Sequence, residues 1–441
     1  MSVAVSEHWS PELGRPSSGT GIFERYESNV RSYCRSFPVV FQRAKGAELF
    51  DESGRAYIDF FAGAGALNYG HNPDFIRERL VAYLREDNVA HALDMFTVAK
   101  REFLTRFVDV VLTPRSLDYK VQFCGPTGAD AVEAALKLAR LATGRHTMAA
   151  FTGGWHGMTT GCLQVTSNRE TRATAGAPLP FTTFLPYPAG PMARADSLAL
   201  IEATFEDASS GIDKPAAIIL ETVQSEGGIY IAPADWLRGL RSICDRHGVL
   251  LIVDDVQVGC GRTGSFFSFE RAGIVPDIVC LSKSIGGYGL PLSLVLMRRE
   301  LDVWKRAQHT GTFRGNQLAF IAAAAALQYW EDDRFARSVV QKGEVVRASL
   351  APLRQMDENI ELRGIGLIHA VDLARAGGAQ LAGEVAARCF EKGLVIERCG
   401  RGDTALKILP PLTIDDERLA AGCRILVESI AELSPNGRAQ S

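Results

Sequence analysis

The 441-residue chain has nine cysteines without a C-x-x-C pair and eight histidines without an H-x-x-x-H or other ligand spacing. The cysteines (Cys34, Cys124, Cys162, Cys244, Cys260, Cys280, Cys389, Cys399, Cys423) are scattered, several inside apolar runs where a thiol acts as a small hydrophobe. That pattern argues against a structural zinc site and against a disulfide framework. Charge of one sign is also missing: 48 Lys and Arg against 51 Asp and Glu give a net charge of −3. Such a balance has no special attraction for nucleic acid or an anionic membrane. No apolar run is long enough to span a bilayer. The start, MSVAVSEHWSPELGRPSSGTG, lacks the basic residues, apolar stretch and cleavage site of a secretory signal. These absences predict a cytoplasmic protein with no metal, nucleic-acid or membrane partner.

What is present is an ordinary globular composition, 46% hydrophobic and 22% charged, in a chain long enough for two or three lobes. Residues 1–20 read as a mobile polar arm and 435–441 as a fraying tail. Residues 21–75 carry short strand-like pieces (FPVVFQRA, AELFD, YIDFF) with turn residues at Glu52-Ser53-Gly54. From 76 to 330, helical patterns alternate with apolar strands: YKVQFC, TMAAF, CLQVTS, AAIILE, VLLIVDD, DIVCLS and LSLVLMR. That alternation predicts an α/β fold with a mostly parallel sheet covered by helices on both faces. Residues 331–434 give a helix, short strands (LRGIGLIHAVDLA, LVIER, ALKILPPL) and a final helix, DDERLAAGCRILVESIAEL.

The run LLIVDDVQVGCGRTG, followed by Lys283 in DIVCLSKSIGG, carries the strongest chemical signal. Charge at the carboxyl ends of buried strands lies where open α/β sheets bind ligands. A carboxylate paired with an amine that can form an imine is what pyridoxal 5′-phosphate requires. Lys283 is the candidate amine: most lysines sit in surface turns, but this one follows a buried strand and precedes Gly286-Gly287. Asp254 is the candidate partner for the pyridinium nitrogen, whose proton a nearby carboxylate stabilises. Strand alternation should turn Asp255 the other way. In CGPTGADAVEAALKLAR, Gly125, Pro126 and Gly128 open a helix after a strand, the context in which backbone N–H groups bind phosphate. Thr127 is placed either to cap that helix or to donate to the phosphate. Trp155 offers a stacking face, although taken alone Trp155 and His156 would more often be core residues.

These pieces, in this order, resemble the class III, fold-type-I aminotransferases that use pyridoxal phosphate. The resemblance spans about residues 20 to 430. The run Asp254-Asp255-Val256-Gln257 through Gly264 matches that class, as do Thr312-Phe313-Arg314-Gly315-Asn316 and Glu221 to Gly228. It implies a large cofactor-binding domain over 76–330 and a small α+β domain from 21–75 and 331–434. It also implies that Gln257 contacts the pyridoxal 3′-oxygen and that Lys283 carries the imine. Thr312 would reach the phosphate of a neighbouring subunit, making a homodimer with shared sites, with pairing into tetramers left open. Gly128 is followed by Ala129 where the class has Ser or Thr. One hydroxyl donor is thereby lost, about 0.5–1.5 kcal/mol, which weakens retention without abolishing it.

Longer segments, among them AHALDMFTVAKREFL and LDYKVQFCGPTGADAVEAALKLAR, resemble the L-2,4-diaminobutyrate:2-oxoglutarate aminotransferases. Those enzymes move an amino group from L-glutamate to L-aspartate 4-semialdehyde and feed ectoine synthesis, with relatives in siderophore and peptide-antibiotic pathways. The resemblance makes Glu226 the glutamate that neutralises a cation when the terminal-amine substrate binds. That cation is an arginine in relatives and Lys407 here, in ALKILPPL. Lysine keeps the charge but not the bidentate fork. Glu221 is a further substrate-site candidate. Several relatives also carry an arginine for the distal carboxylate where Met158 stands, and Arg262, Arg314 and Arg398 are the unranked substitutes. Rival readings are an aminotransferase for ornithine, acetylornithine or 4-aminobutyrate, an aminomutase or decarboxylase, and an aminotransferase-like binding domain.

Overall fold

Two short helices, Gly21–Tyr26 and Tyr33–Ser36, lead into three short strands in the computed structural model, which describes residues 19–193 and 196–434. The fraying-tail segment, and all but the end of the 1–20 arm, lie outside the described residues. β1 (Phe41–Lys45), β2 (Glu48–Asp51) and β3 (Ala56–Asp59) form an antiparallel meander. The turn between β2 and β3 is held by Asp51, whose carboxylate accepts from Ser53 N at 2.9 Å and Arg55 N at 3.0 Å.

A seven-stranded sheet follows: β4 (Tyr119–Phe123), β5 (Met148–Phe151), β6 (Thr182–Leu185), β7 (Ala217–Leu220), β10 (Leu250–Asp254), β11 (Ile278–Leu281) and β12 (Leu294–Arg298), in the order β4-β12-β11-β10-β7-β5-β6. A two-stranded hairpin, β8 (Val223–Gln224) and β9 (Tyr230–Ile231), projects from the end of β7. The sheet is parallel apart from β12, which runs antiparallel to both neighbours. Strands β5, β7 and β11 are buried at every position, as a sheet covered on both faces requires.

One segment differs from its sequence expectation. CLQVTS is not a strand: Thr160–Val165 is a helix that buries Cys162, Leu163 and Val165. A short apolar run has no period of its own, and here a distant side chain decides. The Glu133 carboxylate accepts from Gly161 N at 2.9 Å and from Thr159 Oγ1 at 2.6 Å, satisfying donors at the helix start. The sheet position is taken instead by β6, whose sequence TTFL is flanked by prolines and half polar.

The C-terminal third adds a four-stranded antiparallel sheet, ordered β13-β14-β17-β16, from β13 (Glu361–Ile365), β14 (Ile368–Asp372), β16 (Glu397–Cys399) and β17 (Ala405–Ile408). Between β14 and β16, strand β15 (Leu394–Val395) leaves that sheet and pairs in parallel with β3. The helices Arg334–Leu350, Gly378–Glu391 and Asp416–Leu433 pack on this region, and their apolar faces share one core with Ala47 and Phe60 from the N-terminal meander. Each such buried aliphatic or aromatic side chain contributes about 1.5–3 kcal/mol. Among the described residues no helix is long and apolar enough to cross a membrane.

Candidate active site

β10 and β11 are parallel neighbours, with Asp254 opposite Cys280. Asp254, at the end of β10, and Lys283, just beyond β11, therefore emerge at the same edge of the sheet. Lys283 opens a single 3₁₀ turn (Lys283–Gly286) with φ at 53°, a left-handed conformation costing about 1–3 kcal/mol in a non-glycine residue. The next residue fixes the turn: Ser284 Oγ donates to Gly65 O at 2.7 Å and accepts from Asn68 N at 3.0 Å. Both Asp254 and Lys283 line a cavity of about 1430 Å³ with Gly128, Ala129, Trp155, Glu221, Glu226 and Gln257. Burial lowers the pKa of the Lys283 amine, with Glu226 opposing.

Asp254 is held from behind. His156 Nδ1 lies 2.7 Å from its Oδ2, and Val256 N donates to Oδ1 at 3.2 Å. Burial disfavours the charged imidazole, but the hydrogen bond to Asp254 and its charge prevail and raise the His156 pKa. Asp255 turns away, as alternation requires, and its Oδ2 accepts from Ser268 N at 3.0 Å. Glu221 is engaged by backbone: Oε1 accepts from Trp155 N at 2.8 Å and Oε2 from Ser225 N at 3.3 Å. That fixes the loop carrying Trp155 against the cavity. Burial pushes the Glu221 carboxyl up to about 7.

The helix Gly128–Thr143 aims its N-terminus at the same cavity. Thr127 caps it, its Oγ1 accepting from Asp130 N at 3.2 Å, which leaves the hydroxyl hydrogen free to donate. A Cβ on Gly128 would stand 2.9 Å from Val256 Cγ1, so only glycine lets the helix start sit this close to the end of β10.

On the far side, Lys407 is wholly buried and its Nζ meets two carboxylates, Glu226 Oε1 at 2.6 Å and Glu397 Oε1 at 2.7 Å. Burial alone would lower the lysine pKa, but the two acids outweigh it and keep the amine charged. Glu226 also accepts from Gln257 Nε2 at 3.1 Å, while the same amide donates to Ala64 O at 2.9 Å. Sequence reasoning missed Glu397. Its only signal is the antiparallel register that sets Glu397 opposite Lys407.

The arginines separate by their partners. Arg262 is fully buried and donates to Leu367 O at 3.0 Å, to Pro410 O and to Asn68 Oδ1, so it braces the interior instead of facing the cavity. Arg314 pairs with Asp94 and donates to His309 O at 2.8 Å, also away from the cavity. Arg398 does line it, with Nη1 donating to Ala379 O at 3.4 Å. Arg401, not anticipated from sequence, lines it too; its Nη2 lies 3.1 Å from where a Cβ of Gly153 would be, beside the Trp155 loop. Thr312 is exposed and outside the cavity wall, as is Met158.

The family model described as aminotransferase class-III matches residues 30–430. The chain belongs to the class III aminotransferases. A diaminobutyrate--2-oxoglutarate transaminase of Bordetella parapertussis is 52% identical over 414 residues, covering 93% of this chain and 95% of that protein. One of Halalkalibacterium halodurans is 51% identical, covering 93% and 96%. Among solved structures, the ornithine aminotransferase of Toxoplasma gondii superposes with a TM-score of 0.82 at 25% identity, covering 95% of this chain and 94% of that one; that structure has PLP at partial occupancy in its active site.

The cofactor of this aminotransferase is pyridoxal 5′-phosphate, and the residues present fit it. Ser225 Oγ and Gln257 Oε1 line the cavity as buried polar atoms without a partner. A helix N-terminus narrowed by Gly128 supplies N–H donors for a phosphate. Lys283 and Asp254 lie at one sheet edge.

Proposed function

We propose that this aminotransferase exchanges an amino group between L-glutamate and the terminal aldehyde of L-aspartate 4-semialdehyde, giving 2-oxoglutarate and L-2,4-diaminobutyrate. The observation that carries the reading is the Glu226–Lys407 pair in the same cavity as Lys283. An enzyme that takes both a glutamate and a terminal amine must present a cation to the first and hide it from the second. The named diaminobutyrate relatives support the choice of amine.

When bound, the cofactor holds the amino group covalently and spreads the electron pair left on the reacting carbon. Lys283 Nζ supplies the amine of attachment and, once displaced, takes the proton from the reacting carbon and returns it. Its lowered pKa raises the neutral fraction that this requires. Asp254, backed by His156, would keep the ring nitrogen protonated. Thr127, Gly128 and Ala129 would hold the phosphate, Trp155 would cover the ring and Gln257 would contact its 3′-oxygen. With glutamate, Glu226 leaves Lys407 and the α-carboxylate takes its place; with the semialdehyde, Glu226 stays. In both amino donors two carbons separate the reacting carbon from the far carboxylate, so one fixed cation serves both. We assign that role to Arg401, which lines the cavity beside the Trp155 loop.

The enzyme works as a homodimer in the cytoplasm. Nine free thiols suit a reducing compartment. A second opening of about 220 Å³, bordered by Thr127, Gly128, Lys283 and Gly289, leaves room behind the phosphate site for Thr312 of a second copy. Half-reactions of the holoenzyme test the amine. L-glutamate and L-2,4-diaminobutyrate should each shift the absorbance of the bound cofactor, with ornithine and 4-aminobutyrate far slower; inertness to diaminobutyrate would remove the reading.

A further inference from the structure

Lys407 holds two carboxylates on one nitrogen, and the two are mounted differently. Glu226 belongs to the loop between β8 and β9, and 32% of its side-chain surface is open. Glu397 lies on β16, directly opposite Lys407 of β17, with its side chain 9% exposed. One acid sits on a loop facing the cavity, the other on a strand beneath it.

We propose that Glu397 is the standing counter-ion of this latch, a positioning residue that keeps Lys407 in place while Glu226 leaves and glutamate enters. The inference rests on the transamination reading above. With both acids ionised the cluster carries one net negative charge, and exchanging the Glu226 carboxylate for a substrate α-carboxylate leaves that count unchanged. Between the two, Lys407 keeps Glu397. Without it, each opening would strand an ammonium whose side chain is 0% exposed, and an unpaired buried charge is the costliest electrostatic arrangement a protein can hold. The latch would jam shut. The terminal-amine half-reaction proceeds with the latch closed and makes no such demand. Tyr33 also faces the cluster, but burial and the two glutamates raise its pKa, so it adds no charge.

A contrasting role, in which Glu397 only weakens the pull of Lys407, predicts the opposite sign: its removal would tighten glutamate. Single-turnover half-reactions of the holoenzyme with L-glutamate and with L-2,4-diaminobutyrate separate the two. Glu397→Gln should raise the glutamate KM roughly tenfold or more while leaving the diaminobutyrate reaction within about twofold. An unchanged or lowered glutamate KM, or an equal loss for both amines, would overturn the role. If Glu397→Gln loses cofactor absorbance or melts early, Glu397→Asp replaces it: an intermediate rise for glutamate alone supports the role, and its absence refutes it. A wild-type enzyme that turns over neither amine defeats the transamination reading and this one with it. A wild type that uses both, with variants that treat them alike, defeats only the role of Glu397.

Discussion

Lys407 and Arg401 stand at opposite ends of the substrate in the proposed site, so their losses should be told apart by which amine suffers. Lys407→Met should raise the glutamate KM about tenfold to a hundredfold, the worth of a charge-assisted hydrogen bond of about 1.5–3 kcal/mol, and leave diaminobutyrate nearly untouched. Arg401→Ala should raise the KM of both by a similar factor; a change confined to one amine would place the distal carboxylate elsewhere. Glu221 offers a test by pH in the cofactor-free protein. Its folded pKa of about 7 lies above the ordinary 4.5, so the folded state holds this proton more tightly than the unfolded chain. The associated stability is full below about 4.5 and is lost as pH rises through about 7. Measured against Glu221→Gln by urea unfolding, the wild type should lose roughly 3 kcal/mol between pH 4 and 8; a flat difference would show that folding leaves the Glu221 pKa unshifted. That Asp254, Lys283 and the glycine-led helix start at Gly128 meet at one cavity was legible in sequence because each ends or follows a strongly patterned element. His156, Glu397 and Arg401 were not: their partners are 98, 10 and about 250 residues away or set by register, and no local pattern records that.

Elements that carry their own signals were legible, and those that borrow a partner were not. The helix Gly128–Thr143 has a Thr127 cap, Asp130 in its first turn and Gly144 at its end with φ at 69°. The helix Thr160–Val165 has a start completed by Glu133, and its sequence alone suggested a strand. Borrowed contacts also fix how elements sit together. In the C-terminal helix Asp416–Leu433, a Cβ on Gly422 would fall 2.3 Å from Phe60 Cζ, just past β3. Gly422→Ala should therefore destabilise the protein by about 1–3 kcal/mol in denaturant unfolding, despite alanine's helix preference of about 1 kcal/mol. A gain in stability would mean that the ring yields freely.

At the scale of the whole molecule, Leu93, Met95, Phe96, Val98 and Phe313 leave an apolar surface next to Thr312, with Phe96 fully exposed. A ring contact between His91 and Phe313, centroids 5.5 Å apart, ties the two segments together. A surface of this kind suits a second copy of the chain. If the proposed dimer forms here, Phe96→Asp should sediment as a monomer and retain its cofactor more weakly, since Thr312 of a second copy would no longer reach the phosphate; a monomer with unchanged cofactor affinity would show that each chain completes its own site. The pairing of β3 with β15 has a consequence of another sort, in the order of synthesis. Every strand of the central sheet lies between residues 119 and 298 and leaves the ribosome before β15, which β3 must await: Ile58 pairs opposite Leu394. At about 5–20 residues per second, the nascent chain carries β3 with one bare edge for roughly 20–70 s. That interval is when the growing protein is most open to pairing with the wrong strand, and when a chaperone has most to shield.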